Sequence, residues 1–334
     1  MKWHWDETRM LREAKEGRKG FHFLLELLIF VPVFLVAGIL EAIPSAIAEI
    51  GWIFAHPAVI REAAERLQSG DTAGYFASIQ ALTNEQPIWM TIVSLLSTGL
   101  AILAVWLYCR LIERRRITSM GFRKGHILRE YLVGIGITFV MISFAALIGL
   151  LTGAYRFSLS PGISVGLLLL FCIGYMVQGA SEEVICRGYL MVSITRRNKA
   201  WIAVLVSSLV FAALHLANPG FNFLAFVNIA LCGASYGIYI LKRGNIWGAC
   251  ALHSFWNFFQ GNFWGISVSG TGWGMNASVF TATAVPGKEL WNGGAFGIEG
   301  GLAATAAEVL CLLFVIFLLP ANREEYTELP HPGV

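Results

Sequence analysis

The chain has 334 residues, 56% hydrophobic and only 13% charged, with a net charge of +3. Soluble globular proteins carry about 25% charged residues, so a soluble domain is excluded, and no nucleic-acid partner is expected. The composition implies an all-α fold: a polytopic membrane helix bundle, with residues 21–320 as a single transmembrane domain.

Residues 1–20 form a charged segment, read as cytoplasmic and amphipathic, with Trp3 and Trp5 placed to rest on the membrane surface. The apolar stretch at 21–43 is longer than a signal-peptide core and reads as an uncleaved first span. Glu26 and Glu41 lie near its ends, where they are expected to reach the interface and carry no chemistry. Residues 44–86 read as a loop of mixed charge, with one short surface helix at 57–67 started by Pro57.

The second span is 88–109, followed by a dense basic loop that includes Arg110, Arg114, Arg115, Arg116, Arg123, Lys124 and Arg129. The third is 131–151. A turn with Arg156 and Pro161 leads into the fourth, 163–194, which ends at Arg196-Arg197-Asn198-Lys199. The fifth, 201–216, stops at Asn218-Pro219-Gly220. The sixth, 223–241, is ended by Lys242-Arg243-Gly244, and the seventh covers 246–262. Residues 263–301 are rich in Gly, Ser, Thr and Trp and read as an extracytoplasmic connector; a lid over the site is the sharper expectation. Their glycine clusters at 270–274 and 293–297 lack the lysine of a phosphate loop. The eighth span is 302–319, and 321–334 is a tail. Every basic cluster falls on one side if there are eight transmembrane helices, which puts both termini in the cytoplasm. The six cysteines, Cys109, Cys172, Cys186, Cys232, Cys250 and Cys311, lie in or beside apolar segments and form no C-x-x-C. They read as small buried hydrophobes, not as disulfides or thiolate zinc ligands.

The fourth span holds three ionisable residues within six positions, Glu182, Glu183 and Arg187. Charge at such depth costs several kcal/mol unless paired or facing a wet cavity, so it marks a working site. Glu183 and Arg187 are i and i+4 and can pair on one helical face. Glu182 points about 100° away and is left over as the chemical group. Of the seven histidines only His215 and His253 lie within spans, and His253 shares a face with Asn257. Counting about 1.5 Å of rise per residue from the basic edge, Glu182 is about 21 Å deep, His215 about 24 Å, His253 about 15 Å and Asn257 about 21 Å. These odd polar residues of three spans fall in one slab of the bilayer.

A carboxylate, two imidazoles and an amide held out of bulk water suit hydrolysis of an amide bond. A desolvated carboxylate is the better base toward water. An imidazole can orient that water or protonate the leaving amine. A histidine and an asparagine can donate hydrogen bonds to the oxyanion. Ser181 and Cys186 neighbour the site in sequence without a clear base. Gln178, Asn228, Gln260, Asn262 and Glu308 read as helix-to-helix hydrogen bonds or interfacial residues.

Glu182-Glu183-x-x-x-Arg187, Phe211-x-x-x-His215 and His253-x-x-x-Asn257 resemble the three motifs of the CAAX prenyl protease type II and bacteriocin-processing family (CPBP, or Abi) of intramembrane proteases. The motif core covers about 162–262. The resemblance implies a glutamic-type endopeptidase acting within the membrane. It implies that Glu182 and His215 activate water, that His253 and Asn257 form the oxyanion site, and that Glu183 with Arg187 holds the helix. It favours a mechanism without cofactor or metal; the alternative is a catalytic zinc on Glu182, His215 and His253. Expected partners are membrane lipids and a peptide or protein substrate at the membrane, prenylated or exported. The expected location is the cytoplasmic membrane of a prokaryote, as a multi-pass protein. The rival classes are a transporter or channel, opposed by the lack of an internal repeat and of paired broken spans, and a membrane scaffold without turnover.

Overall fold

In lipid a long apolar segment can satisfy its own backbone only as a helix, and the described chain is mostly helical. The computed structural model describes residues 8–272 and 275–322. Trp3, Trp5, Trp273, Gly274 and the tail from residue 323 lie outside them.

The short helix α1 (Arg9–Lys15) is capped by the Thr8 side chain, which accepts from the Leu11 backbone. It buries Met10, Leu11 and Ala14, and its Glu13 accepts from Thr118 and Arg123 of the basic loop. The long helix α2 (Phe23–Ala55) runs straight through Pro32 and Pro44. The expected loop at 44–86 is therefore largely helical: α2 takes its first part, then come α3 (Pro57–Gln68) and α4 (Thr72–Asn84). A proline removes one backbone hydrogen bond, but Ala46, Ile47, Ala48, Ile50 and Ile53 sustain the helix beyond it. Trp52 Nε1 donates to the Leu82 carbonyl at 3.2 Å and Gln86 donates to Glu49 at 2.9 Å, tying α4 and its exit to this extension.

The second span consists of two helices, α5 (Ile88–Ser97) and α6 (Gly99–Leu111), offset at Thr98, whose hydroxyl donates back to the Leu95 carbonyl. Helix α7 (Ile127–Leu151) starts one turn before the expected boundary. Strand β1 (Tyr155–Leu159) follows, then α8 (Val165–Glu183), a π-helical stretch over Val184–Met191, and α9 (Val192–Thr195). Then come α10 (Ala200–Leu214), α11 (Phe223–Arg243) and α12 (Trp247–Phe258), the last continuing as a π turn to Phe263. Strand β2 (Phe280–Ala284) pairs antiparallel with β1, Tyr155 opposite Ala284 and Leu159 opposite Phe280. This ribbon is an addition to the all-α expectation. A short turn, α13 (Glu289–Asn292), leads to α14 (Leu302–Leu313), which ends in a π turn at Phe314–Leu318.

Among the described residues, five helical segments are long and apolar enough to cross a membrane: Phe23–Ala55, Ile88–Leu111, Ile127–Leu151, Val165–Thr195 and Phe223–Arg243. Ala200–Leu214 and Leu302–Leu318 are shorter apolar helices. Helix α12 is central, packed between α7 and α8. Small residues allow the close approach, as between membrane helices generally. A Cβ on Gly134 would stand 2.7 Å from the Gly248 carbonyl oxygen, and one on Gly179 would stand 2.6 Å from the Ser254 nitrogen. At the basic end, Arg196 pairs with Glu26 at 3.1 Å and with Glu113, and donates to the Arg18 carbonyl. Arg243 there pairs with Glu130 of α7, and Lys242 donates to the Ile316 and Leu319 carbonyls. The basic residues that follow the second, fourth and sixth spans thus gather at one end of the bundle.

Gly179→Ala should lower the melting midpoint of the purified protein by the equivalent of about 1–3 kcal/mol, as overpacking does. Gly51→Ala in α2, where a Cβ meets nothing within 4 Å, should leave it unchanged or slightly raised.

Candidate active site

The contact through Gly179 brings the end of α8 against α12, and with it Glu182 and Glu183 against His253. The chain after Glu183 continues as a π-helix through Arg187. Such wide turns inside α-helices occur frequently at functional sites. Glu183 is fully buried and Arg187 is too; they pair at 2.9 Å. The same Glu183 oxygen, Oε1, also accepts from His253 Nδ1 at 2.9 Å. The pairing of Glu183 with Arg187 matches the i, i+4 reading, and the bond to His253 adds a contact that the sequence did not reveal. Gly233 leaves room for the guanidinium, since a Cβ there would lie 2.6 Å from Arg187 Nη2.

A carboxylate only accepts, so His253 carries a proton on Nδ1, and its Nε2 turns toward Glu182, 3.6 Å from Oε2. His215 lies at the C-cap of α10, one residue beyond the helix, not within it as expected. Its Nδ1 bonds the Phe211 carbonyl at 2.9 Å. A carbonyl also only accepts, so the neutral ring leaves Nε2 as a lone-pair acceptor. Phe211 is the spacer: its ring lies under the Arg187 guanidinium at 4.3 Å and meets both imidazoles edge-on, at 5.0 Å to His215 and 5.6 Å to His253.

Glu182, His215, His253 and Asn257 line one cavity of about 210 Å³. The coincidence of depth in the sequence therefore corresponds to a meeting in space. Gln178, read from the sequence as a helix-to-helix residue, belongs to the same constellation. Its Nε2 donates to Glu182 Oε1, and its Oε1 accepts from Asn257 Nδ2 at 2.8 Å. The signal was available: Gln178 precedes Glu182 by four residues and shares its face.

A second cavity, of about 200 Å³, adjoins the first; Glu182, Phe211, His215 and Asn218 line both. Glu41 of α2 faces this second cavity, together with Ser181 and Cys186. Glu41 is thus not near the end of its helix as expected, because α2 extends well past it. Among the described residues, Ser181 Oγ has no hydrogen-bond partner and no base is bonded to Cys186.

The connector at 263–301 supplies Val268, Ser269, Thr271 and Glu299 to the wall of the first cavity. Glu299 accepts from Trp256 Nε1 and Gln260 Nε2, and from both the backbone and the hydroxyl of Ser269. Asn218, just past His215, donates to the Ser269 carbonyl at 2.9 Å. Among the described residues, no three His, Cys, Asp or Glu side chains gather as a set able to hold a metal ion. Glu182, His215 and His253 share a cavity wall without forming such a set.

Residues 164–259 match the family described as type II CAAX prenyl endopeptidase Rce1-like. The matched segment contains all seven motif residues and supports membership of the CPBP family, the resemblance drawn from the motifs. It indicates a peptidase, a CAAX-protease-like intramembrane endopeptidase, and with the apolar helices an integral membrane protein. No curated protein and no solved structure matches the chain.

Glu183→Gln leaves Arg187 buried without a counter-charge and should destabilise the protein by about 3–5 kcal/mol. Glu182→Gln, at a side chain that is 32% exposed to the cavities, should leave the melting midpoint nearly unchanged. Thermal melts of the two variants in the same detergent check this.

Proposed function

We propose that this protein is an intramembrane endopeptidase of the glutamic type, with Glu182 and His215 activating water and His253 and Asn257 receiving the oxyanion. The observation that supports this reading is the meeting of those four side chains, from the ends or interiors of three helices, in one cavity. A water held between Glu182 and the free Nε2 of His215 gives up a proton to one of them as its oxygen attacks the peptide carbonyl carbon. The carbonyl π electrons move to the oxygen. That oxyanion is met by the second N–H of Asn257, whose first is held by Gln178, and by Nε2–H of His253 in its imidazolium form. Glu183 beneath and Glu182 beside the ring balance that charge. Collapse breaks the C–N bond, and the proton taken from water passes to the leaving nitrogen. Oriented donors at a developing oxyanion are worth about 10²–10³ in rate.

The site works without a metal in this reading. The bundle crosses the membrane eight times, the three segments shorter than the five long spans completing the count. Its basic end, where the loop residues pair with Glu26, Glu113 and Glu130, is the cytoplasmic side, and both termini lie there. The host membrane is the cytoplasmic membrane of a prokaryote, and the substrate is a membrane-associated peptide or protein.

Comparing peptide termini from cells carrying wild type and Glu182→Gln should reveal new ends only in the wild type. With a purified substrate the variant should lose about 10²-fold or more in kcat. Solute uptake that depends on Glu182 without any proteolysis would instead mark a transporter. Gln178→Leu should lower kcat more than it raises KM, because Gln178 orients both Glu182 and Asn257 and need not touch the substrate. A zinc chelator should leave cleavage intact; loss of activity on chelation that added zinc restores would overturn the metal-free mechanism.

A further inference from the structure

The first cavity continues past the proposed reacting groups toward α11 and α14. The Tyr236 ring lies 6.0 Å from that of His253, and Cys232, Ala304 and Glu308 line the cavity beyond it. Glu308 differs from the other buried glutamates. Among the described residues Glu13, Glu26, Glu113, Glu130 and Glu183 each pair with an arginine, and Glu299 accepts from Trp256, Gln260 and Ser269. Glu308 is 4% exposed, and its Oε2 has no hydrogen-bond partner among the described residues. On the same α11–α14 wall, Asn228 spends its Nδ2 on the Glu299 and Gly301 carbonyls, while its Oδ1 has no donor among the described residues. No Lys or Arg among the described residues lines this cavity.

A buried carboxyl without donors carries a desolvation cost that its surroundings do not offset. A ligand bringing a cation and several N–H groups would form charge-assisted hydrogen bonds there. The approach is apolar, along Ile229, Cys232 and Ala304, which suits the methylene stem of a long side chain with its charge at the tip.

We propose that the inner end of the cavity is a subsite for a cationic side chain, Lys or Arg, of the substrate peptide, with Glu308 as its counter-charge. This deepens the peptidase reading and rests on it. Two arms test it on the full-length protein in detergent. In the first, matched fluorogenic peptides carry Arg, Lys or norleucine at one position, scanned across the cleaved bond. One position should favour the basic residue by about tenfold or more in kcat/KM, and Glu308→Gln should bring that ratio to within about twofold of one. In the second, binding of butylguanidinium and of its neutral counterpart butylurea is measured by thermal shift and calorimetry. Wild type should bind butylguanidinium more tightly, Glu182→Gln should keep that preference, and Glu308→Gln should lose it. Equal binding of the two probes by wild type overturns the proposal without need of any variant, as does a basic preference that survives Glu308→Gln. If no peptide is cleaved but the guanidinium preference holds, the peptidase reading fails and the cation subsite stands.

Discussion

The Glu183 carboxylate, shut away from solvent, receives a guanidinium from its own helix and an imidazole from α12 on one oxygen. A buried ion pair contributes little net stability compared with a well-packed apolar core, so its value here is positional. It holds a proton on Nδ1 of His253 and, through Arg187, sets the face on which Phe211 lies. Phe211 in turn spaces the two imidazoles. The arrangement requires α8 and α12 to touch, and the missing side chain of Gly179 is what permits that. One carboxylate thus couples a helix contact, a charge pair and the orientation of the His253 ring.

A second set of charges does comparable work at the basic end. Arg115 is buried against Glu113 at 2.6 Å, and Ser193 donates to the same carboxylate. Arg196 adds Glu26 of the first long helix to this group. The loops that a topology argument treats as solvated signs of orientation are here also a clasp that joins successive helix ends. Helix α2, only 17% of whose apolar window is buried in the protein, is anchored by that clasp at its start.

The four candidate residues that share the cavity were legible in the sequence because charge and imidazole are rare in apolar spans and because helical rise converts position into depth. Glu183 with Arg187 was legible because their spacing is local. What the sequence hid depends on contacts across the chain. Glu183 meets His253 only after α8 docks on α12. Gln178 becomes part of the site only when Asn257 arrives opposite it. The ribbon of Tyr155–Leu159 with Phe280–Ala284 joins segments that carry too short an alternation to announce a pairing. The loop expected at 44–86 was misread because Pro44 looks like a stop, while the residues beyond it continue a helix. His215 falls one residue outside its helix because the chain turns toward Asn218-Pro219-Gly220, and that turn frees its ring to meet the cavity.

Glu182, Phe211, His215 and Asn218 border two hollows at once. A substitution at any of these four reshapes both spaces together, whereas one at Glu41 or Asn257 alters a single hollow.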